Sequence, residues 1–116
     1  MSPLNITTRD VATGPVLEVI GELDYGNASV LRELLTTITL QPGQRLVLDL
    51  AGMDFCDSSG LTALIAARNR AHAAHAEIAL AAVPANTLRV LRIVGLDQVF
   101  PLHPDSDSAA RSPRAR

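Results

Sequence analysis

Leu46-Val47-Leu48-Asp49-Leu50 restricts the fold more than any other segment of this 116-residue chain. A near-continuous apolar run with no alternating polar face is the pattern of a strand covered on both sides, as in parallel sheets flanked by helices. It is therefore expected at the centre of a sheet. Asp49 interrupts the run, and because an unpaired buried carboxylate is costly it should lie at a sheet end or find a backbone partner.

The flanking segments fit that centre. Leu4 to Thr8 and Pro15 to Gly21 are β-branched runs around Ala12-Thr13-Gly14-Pro15, which suggests an antiparallel pair. From Asn27 to Leu40, Ala28, Leu31, Leu34, Leu35 and Ile38 recur at helical spacing, with Asn27 as a suitable N-cap. Gln41-Pro42-Gly43 ends that helix. A second, alanine-rich helix is expected from about Ser59 to Ala74, a short strand over Glu77 to Val83, a third helix capped by Asn86 and stopping at Gly95, and a terminal strand at Val99 to Leu102. The order β-β-α-β-α-β-α-β predicts an α/β fold: one domain over residues 4–102, a mixed and mainly parallel β-sheet with an N-terminal antiparallel strand pair, and helices packed on it. Residues 103–116 hold no large apolar side chain and read as a disordered C-terminal tail.

Composition removes several classes of function. All ten basic residues are arginine, the net charge is -2, and aromatics make up 3%. Neither a clustered basic face nor a base-stacking platform is available, so no nucleic-acid partner is expected. The single cysteine, Cys56, allows no internal disulfide or thiolate cluster and fits a reducing compartment. No stretch reaches the roughly 18 apolar residues of a membrane span. The expected location is cytoplasmic, without membrane insertion.

Asp57-Ser58-Ser59-Gly60-Leu61 lies where the buried strand has ended and a helix begins. Asp57, Ser58 or Ser59 can cap free N–H groups there, and Gly60 permits a tight start. A nucleophilic serine would need a general base within hydrogen-bond reach. His72 and His75 lie three to four helical turns further on, His103 falls beside the tail, and Cys56 and Gly60 do not supply the G-x-S-x-G elbow. No catalytic residue is assigned. His72 and His75 share a helical face without a third nearby ligand, so no metal and no cofactor are expected. Cys56 is expected to act as a small buried hydrophobe.

Three patches together resemble the anti-sigma factor antagonists built on the STAS domain: Gly21-Glu22-Leu23-Asp24; Leu46 to Leu50 leading through Met53-Asp54-Phe55 into Asp57-Ser58-Ser59-Gly60-Leu61; and Leu91-Arg92-Ile93-Val94-Gly95-Leu96 running to Val99-Phe100-Pro101. The resemblance spans Leu4 to Leu102. It implies a bacterial interaction module, not an enzyme, in which Ser58 is phosphorylated by an anti-sigma factor serine kinase of the histidine-kinase-like ATPase type. The unphosphorylated form would bind that kinase and free a sigma factor, and a metal-dependent serine phosphatase would restore it. Asp24, Asp57, Ser58, Ser59, Gly60 and Leu61 are the implied partner-binding residues. STAS domains also serve in lipid-transport complexes, sensory assemblies and anion-transporter tails, where Ser58 would be only a helix cap. Self-association as a weak homodimer is left open.

Overall fold

The computed structural model describes residues 3–111. β1 (Asn5–Val11) and β2 (Gly14–Leu23) form the antiparallel pair, in register from Asn5 opposite Ile20 to Val11 opposite Gly14. There follow α1 (Ala28–Thr37), β3 (Arg45–Asp49), β4 (Met53–Cys56), α2 (Ser58–Ala73), β5 (Glu77–Ala81), α3 (Ala85–Ile93), a 3-10 turn (Leu96–Gln98), β6 (Leu102–His103) and α4 (Ser106–Ala109). The strand order is β1-β2-β3-β5-β6, with β4 paired to β2, and every pairing after the first is parallel. The expected α/β class and mainly parallel sheet are observed.

β3 lies between β2 and β5, and the alternation of a strand explains its unbroken apolar run. Leu46 and Leu48 join Leu17, Val19, Ile78 and Leu80 in the main core, under α1, α2 and α3. Val47 points the other way, into a second cluster with Val16, Ala79, Ala81 and Ala109 of α4. In α2, Ala63, Ala67 and Ala71 are fully buried, so the alanine bias seats this helix close to the sheet. Asp49 finds the backbone partner expected of it, accepting the Ala51 N–H at 3.0 Å.

β4 was not legible as a strand. β2 pairs along one edge with two strands in series, residues 16–18 with β3 and residues 21–23 with β4. Between them the chain steps sideways, held by Gly21 N–H to Gly52 O (2.9 Å) and Met53 N–H to Leu50 O (3.0 Å). Asp54 and Phe55 are exposed, which leaves β4 without the apolar run that marked β3.

Three other expectations need correction. α1 stops at Thr37 rather than Leu40: the Thr36 and Thr37 hydroxyls bond back to the carbonyls of Glu33 and Leu34, and Arg70 takes those of Leu35 and Ile38. The stretch Val99 to Leu102 is a strand only at its end, because Phe100 turns into the core before β6 begins. Nor is the segment after Leu102 a frayed tail as far as Arg111. It crosses the second face of the sheet, where Arg45 Nη1 donates to the carbonyls of Ala109 (2.8 Å) and Arg111 (3.0 Å), and the Thr13 hydroxyl donates to that of Ala110. Asp105 caps α4 by accepting the Ser108 N–H at 2.8 Å. Small side chains hid this contact, since Ala109 against Ala79 and Ala81 needs no large apolar residue. Residues 112–116 of the expected tail lie outside the described residues.

His103, at the start of this strap, has its pKa lowered by burial and then by the Arg45 guanidinium, with Asp105 opposing. The unfolded chain therefore binds this proton more readily, so the stabilisation is full above about pH 6.5 and is lost as pH falls below that value. Urea unfolding of the protein should show stability declining as pH falls below about 6.5, and His103→Gln should flatten that decline. An unchanged slope in the variant would reject this assignment.

Candidate functional site

Two chain crossings at the C-terminal ends of β2 and β4 build the site, and Asp57 joins them. Its Oδ1 accepts the Gly60 N–H at 3.0 Å, capping α2, while its Oδ2 accepts the Tyr25 N–H at 3.0 Å from the loop between β2 and α1. Its own N–H donates to the Leu23 carbonyl at 3.2 Å. One carboxylate thus fixes a helix start and the neighbouring loop in a single geometry.

The loop is also fixed internally. The Asp24 carboxylate accepts the Gly26 N–H at 3.0 Å, and the Asp24 N–H donates to Asn27 Oδ1 at 2.9 Å. Asn27 Nδ2 donates to the Glu22 carbonyl at 2.9 Å. Asn27 stands at the N-cap position of α1, but its side chain closes the loop instead of capping the helix.

Ser58 is the first residue of α2 and is exposed. Its carbonyl accepts the Thr62 hydroxyl at 3.0 Å, and its own hydroxyl makes no hydrogen bond among the described residues. Of the three capping candidates, Asp57 is the one that caps. Ser59 is half-buried and lines a depression of about 170 Å³ with Tyr25, Ala28, Arg32 and Thr62. Leu61 faces inward against the main core, so it supports the helix start from beneath.

Gly60 is buried for a steric reason. A Cβ there would lie 2.6 Å from Cys56 Sγ and 2.8 Å from the Leu23 carbonyl oxygen, so α2 reaches the end of β2 only without a side chain at this position. Burial, and then the charge of Asp57, pushes the Cys56 thiol up to about 12. It stays protonated at neutral pH, as a small hydrophobe would. Cys56 also contributes to a second depression, of about 250 Å³, with Asp54, Phe55, Pro84, Thr87 and Val90 among its other walls.

The family model described as STAS domain matches residues 4–109. The chain belongs to the STAS domain family. Among curated relatives of this STAS domain, a STAS-domain containing protein of Pseudomonas aeruginosa is 30% identical over 97 residues, covering 82% of this chain and 95% of the relative. The anti-sigma-F factor antagonist RsfB of Mycobacterium tuberculosis is 28% identical over 99 residues, covering 85% and 80%. Among solved structures, an anti-sigma factor antagonist from Mycobacterium paratuberculosis matches with a TM-score of 0.81 at 28% identity, over 92% of this chain and 91% of that one.

Sequence reasoning missed the apolar rim of the site. Tyr25, in the loop between β2 and α1, is 86% exposed, and Phe55, in β4 just before the Asp57–Gly60 junction, is 51% exposed. Two of the three aromatic residues in the chain are spent on this surface, and that scarcity is the signal that could have found them. Arg32 adds a cation beside Tyr25.

Removing the Asp57 carboxylate should cost about 1 kcal/mol for the cap alone. In Asp57→Ala the Tyr25 amide should also lose protection from hydrogen exchange while the amides of β3 keep theirs. Gly60→Ala should cost about 1–3 kcal/mol by overpacking, measured by urea unfolding. An unperturbed Gly60→Ala protein would mean that α2 is not held against Leu23.

Proposed function

We propose that this STAS domain is an anti-sigma factor antagonist whose binding is switched by phosphorylation of Ser58. One observation carries the reading: Ser58 presents an unengaged, exposed hydroxyl at the start of α2, while Asp57 beside it does the capping. A serine retained only as a cap would be hydrogen-bonded in that role. The names of the Mycobacterium relatives support the antagonist role in this reading.

The partner is an anti-sigma factor serine kinase of the histidine-kinase-like ATPase type, and a metal-dependent serine phosphatase reverses its action. Docking uses the face made by Asp24, Tyr25, Asp57, Ser58 and Ser59, with Gly60 and Leu61 setting the position of the helix start. Phosphorylation adds about -1.5 to -2 charge at Ser58. The helix N-terminus tolerates that anion, so the domain stays folded, and the new charge next to Asp57 repels or obstructs the partner. The chain supplies no catalysis of its own here: His72 lies fourteen residues along α2 from Ser58, about 21 Å away by helical rise. The protein works in the cytoplasm. Among the described residues no helix is long and apolar enough to cross a membrane.

Intact mass and peptide mapping of protein from its native cells, with and without phosphatase treatment, should reveal a phosphatase-sensitive phosphate on Ser58. Ser58→Asp should weaken binding to the kinase at least tenfold with an unchanged far-UV circular dichroism spectrum, and Ser58→Ala should bind but resist modification. Absence of phosphate under every growth condition would instead assign the chain to a constitutive STAS assembly, in which the same face holds a permanent partner.

A further inference from the structure

The outward face of α3 carries more apolar surface than the fold itself uses. Among the described residues, five of the nine exposed large apolar side chains, Val90, Ile93, Val94, Val99 and Leu102, fall within thirteen residues of chain on α3 and just after it. Thr87 and Leu91 are the buried side of this helix, and at about 3.6 residues per turn Arg89 and Ile93 fall on the side facing away from it. Ile93 is 75% exposed. Apolar side chains clustered in this way on a small domain mark a surface that meets another macromolecule.

Each flank of this crest holds a depression. Toward β4, one of about 250 Å³ runs beside Asn86 and Val90, with Phe55 and Asp54 on its far wall. Toward β6, one of about 320 Å³ runs beside Leu88 and Arg92, with Leu102 on its far wall. Asp54 and Arg92 are exposed, and neither joins an ion pair among the described residues. The surface thus presents an apolar crest, two hollows with apolar walls, and opposite charges at diagonal corners.

We propose that this face docks a second copy of the chain, in an isologous dimer of two crossed α3 helices. The charge pattern selects that occupant. A two-fold axis lying in the interface and oblique to the helices exchanges the diagonal corners, so Asp54 of each copy meets Arg92 of the other and both pairs form at once. A partner bearing one sign of charge would satisfy only one corner. Shape agrees: the crest at Ile93 enters a hollow of the other copy, as ridges enter grooves where helices pack at an angle. Arg89, on the crest beside it, lays its apolar stem in the contact and keeps its charge in solvent. The contact is about one helix wide, which places it among the small and weak interfaces. It requires nothing of Ser58.

The test is sedimentation velocity of the full chain over a concentration series. A monomer–dimer equilibrium is expected, and Ile93→Glu should weaken it about tenfold or more with an unchanged far-UV circular dichroism spectrum. Val30→Glu, a matched change at an exposed valine of α1, should dimerise as the parent does. Asp54→Arg sets arginine against arginine at both corners, and Arg92→Asp sets aspartate against aspartate, so each variant alone should dimerise about fivefold more weakly than the parent. Mixed one to one, the two variants should recover the parent's affinity, because each corner is then again an arginine–aspartate pair. A chain that stays monomeric up to about 1 mM would overturn the proposal, including the case in which Ile93→Glu instead impairs binding of an anti-sigma factor kinase. Equal dimerisation by Ile93→Glu and the parent, equal weakening by Val30→Glu, or a mixture that associates no more tightly than either charge variant alone would overturn it as well.

Discussion

Burial of β3 on both faces sets the demands that the rest of the chain meets. Leu46 and Leu48 need a helical layer, and α1, α2 and α3 supply it; Val47 needs cover on the reverse side, and among the described residues α4 supplies that, with Val16 of β2 alongside. The two layers differ greatly in size. The reverse cover works because Ala79 and Ala81 keep that face low enough for a four-residue helix to reach across it. Arg45 then ties the arrangement together, binding the strap carbonyls with one nitrogen and Glu77 with the others.

At the site end, the economy rests on Asp57. A single carboxylate caps α2 and holds the Tyr25 amide, and this releases Ser58 from structural duty. Gly60 lets the same helix start press against Leu23. The face proposed for docking is consequently fixed by hydrogen bonds where it bears charge, and Tyr25 and Phe55 are exposed beside it. Rigid presentation lowers the ordering cost of association, which is the usual route by which a small patch binds with useful affinity.

The larger elements were legible because each followed one period: the unbroken run of β3, the three-to-four spacing of α1, and the Gly-Pro turn of the hairpin. The helix start at Asp57 was legible too, since a capping sequence after a buried strand marks where a helix begins. What escaped depended on contacts between distant residues. β4 owes its pairing to the length of β2 rather than to its own composition, and α4 owes its place to Arg45, some sixty residues earlier in the chain. Asp57 and Ser58 could not be told apart as caps from sequence, because the choice turns on which side chain meets Gly60 and Tyr25 in space.

The serial pairing of β2 divides the sheet into two regions of unequal firmness. Its lower half is fastened to β3, itself paired with β5, whereas its upper half is fastened to β4, which has no partner on its far side among the described residues. The end of the molecule that would meet another protein is therefore a cantilever projecting from a stiff base. Such a region can open locally at lower free energy than the whole domain, and because Asp57 ties the Tyr25 loop to the start of α2, the tip would shift on its base as one piece while its own face keeps its shape.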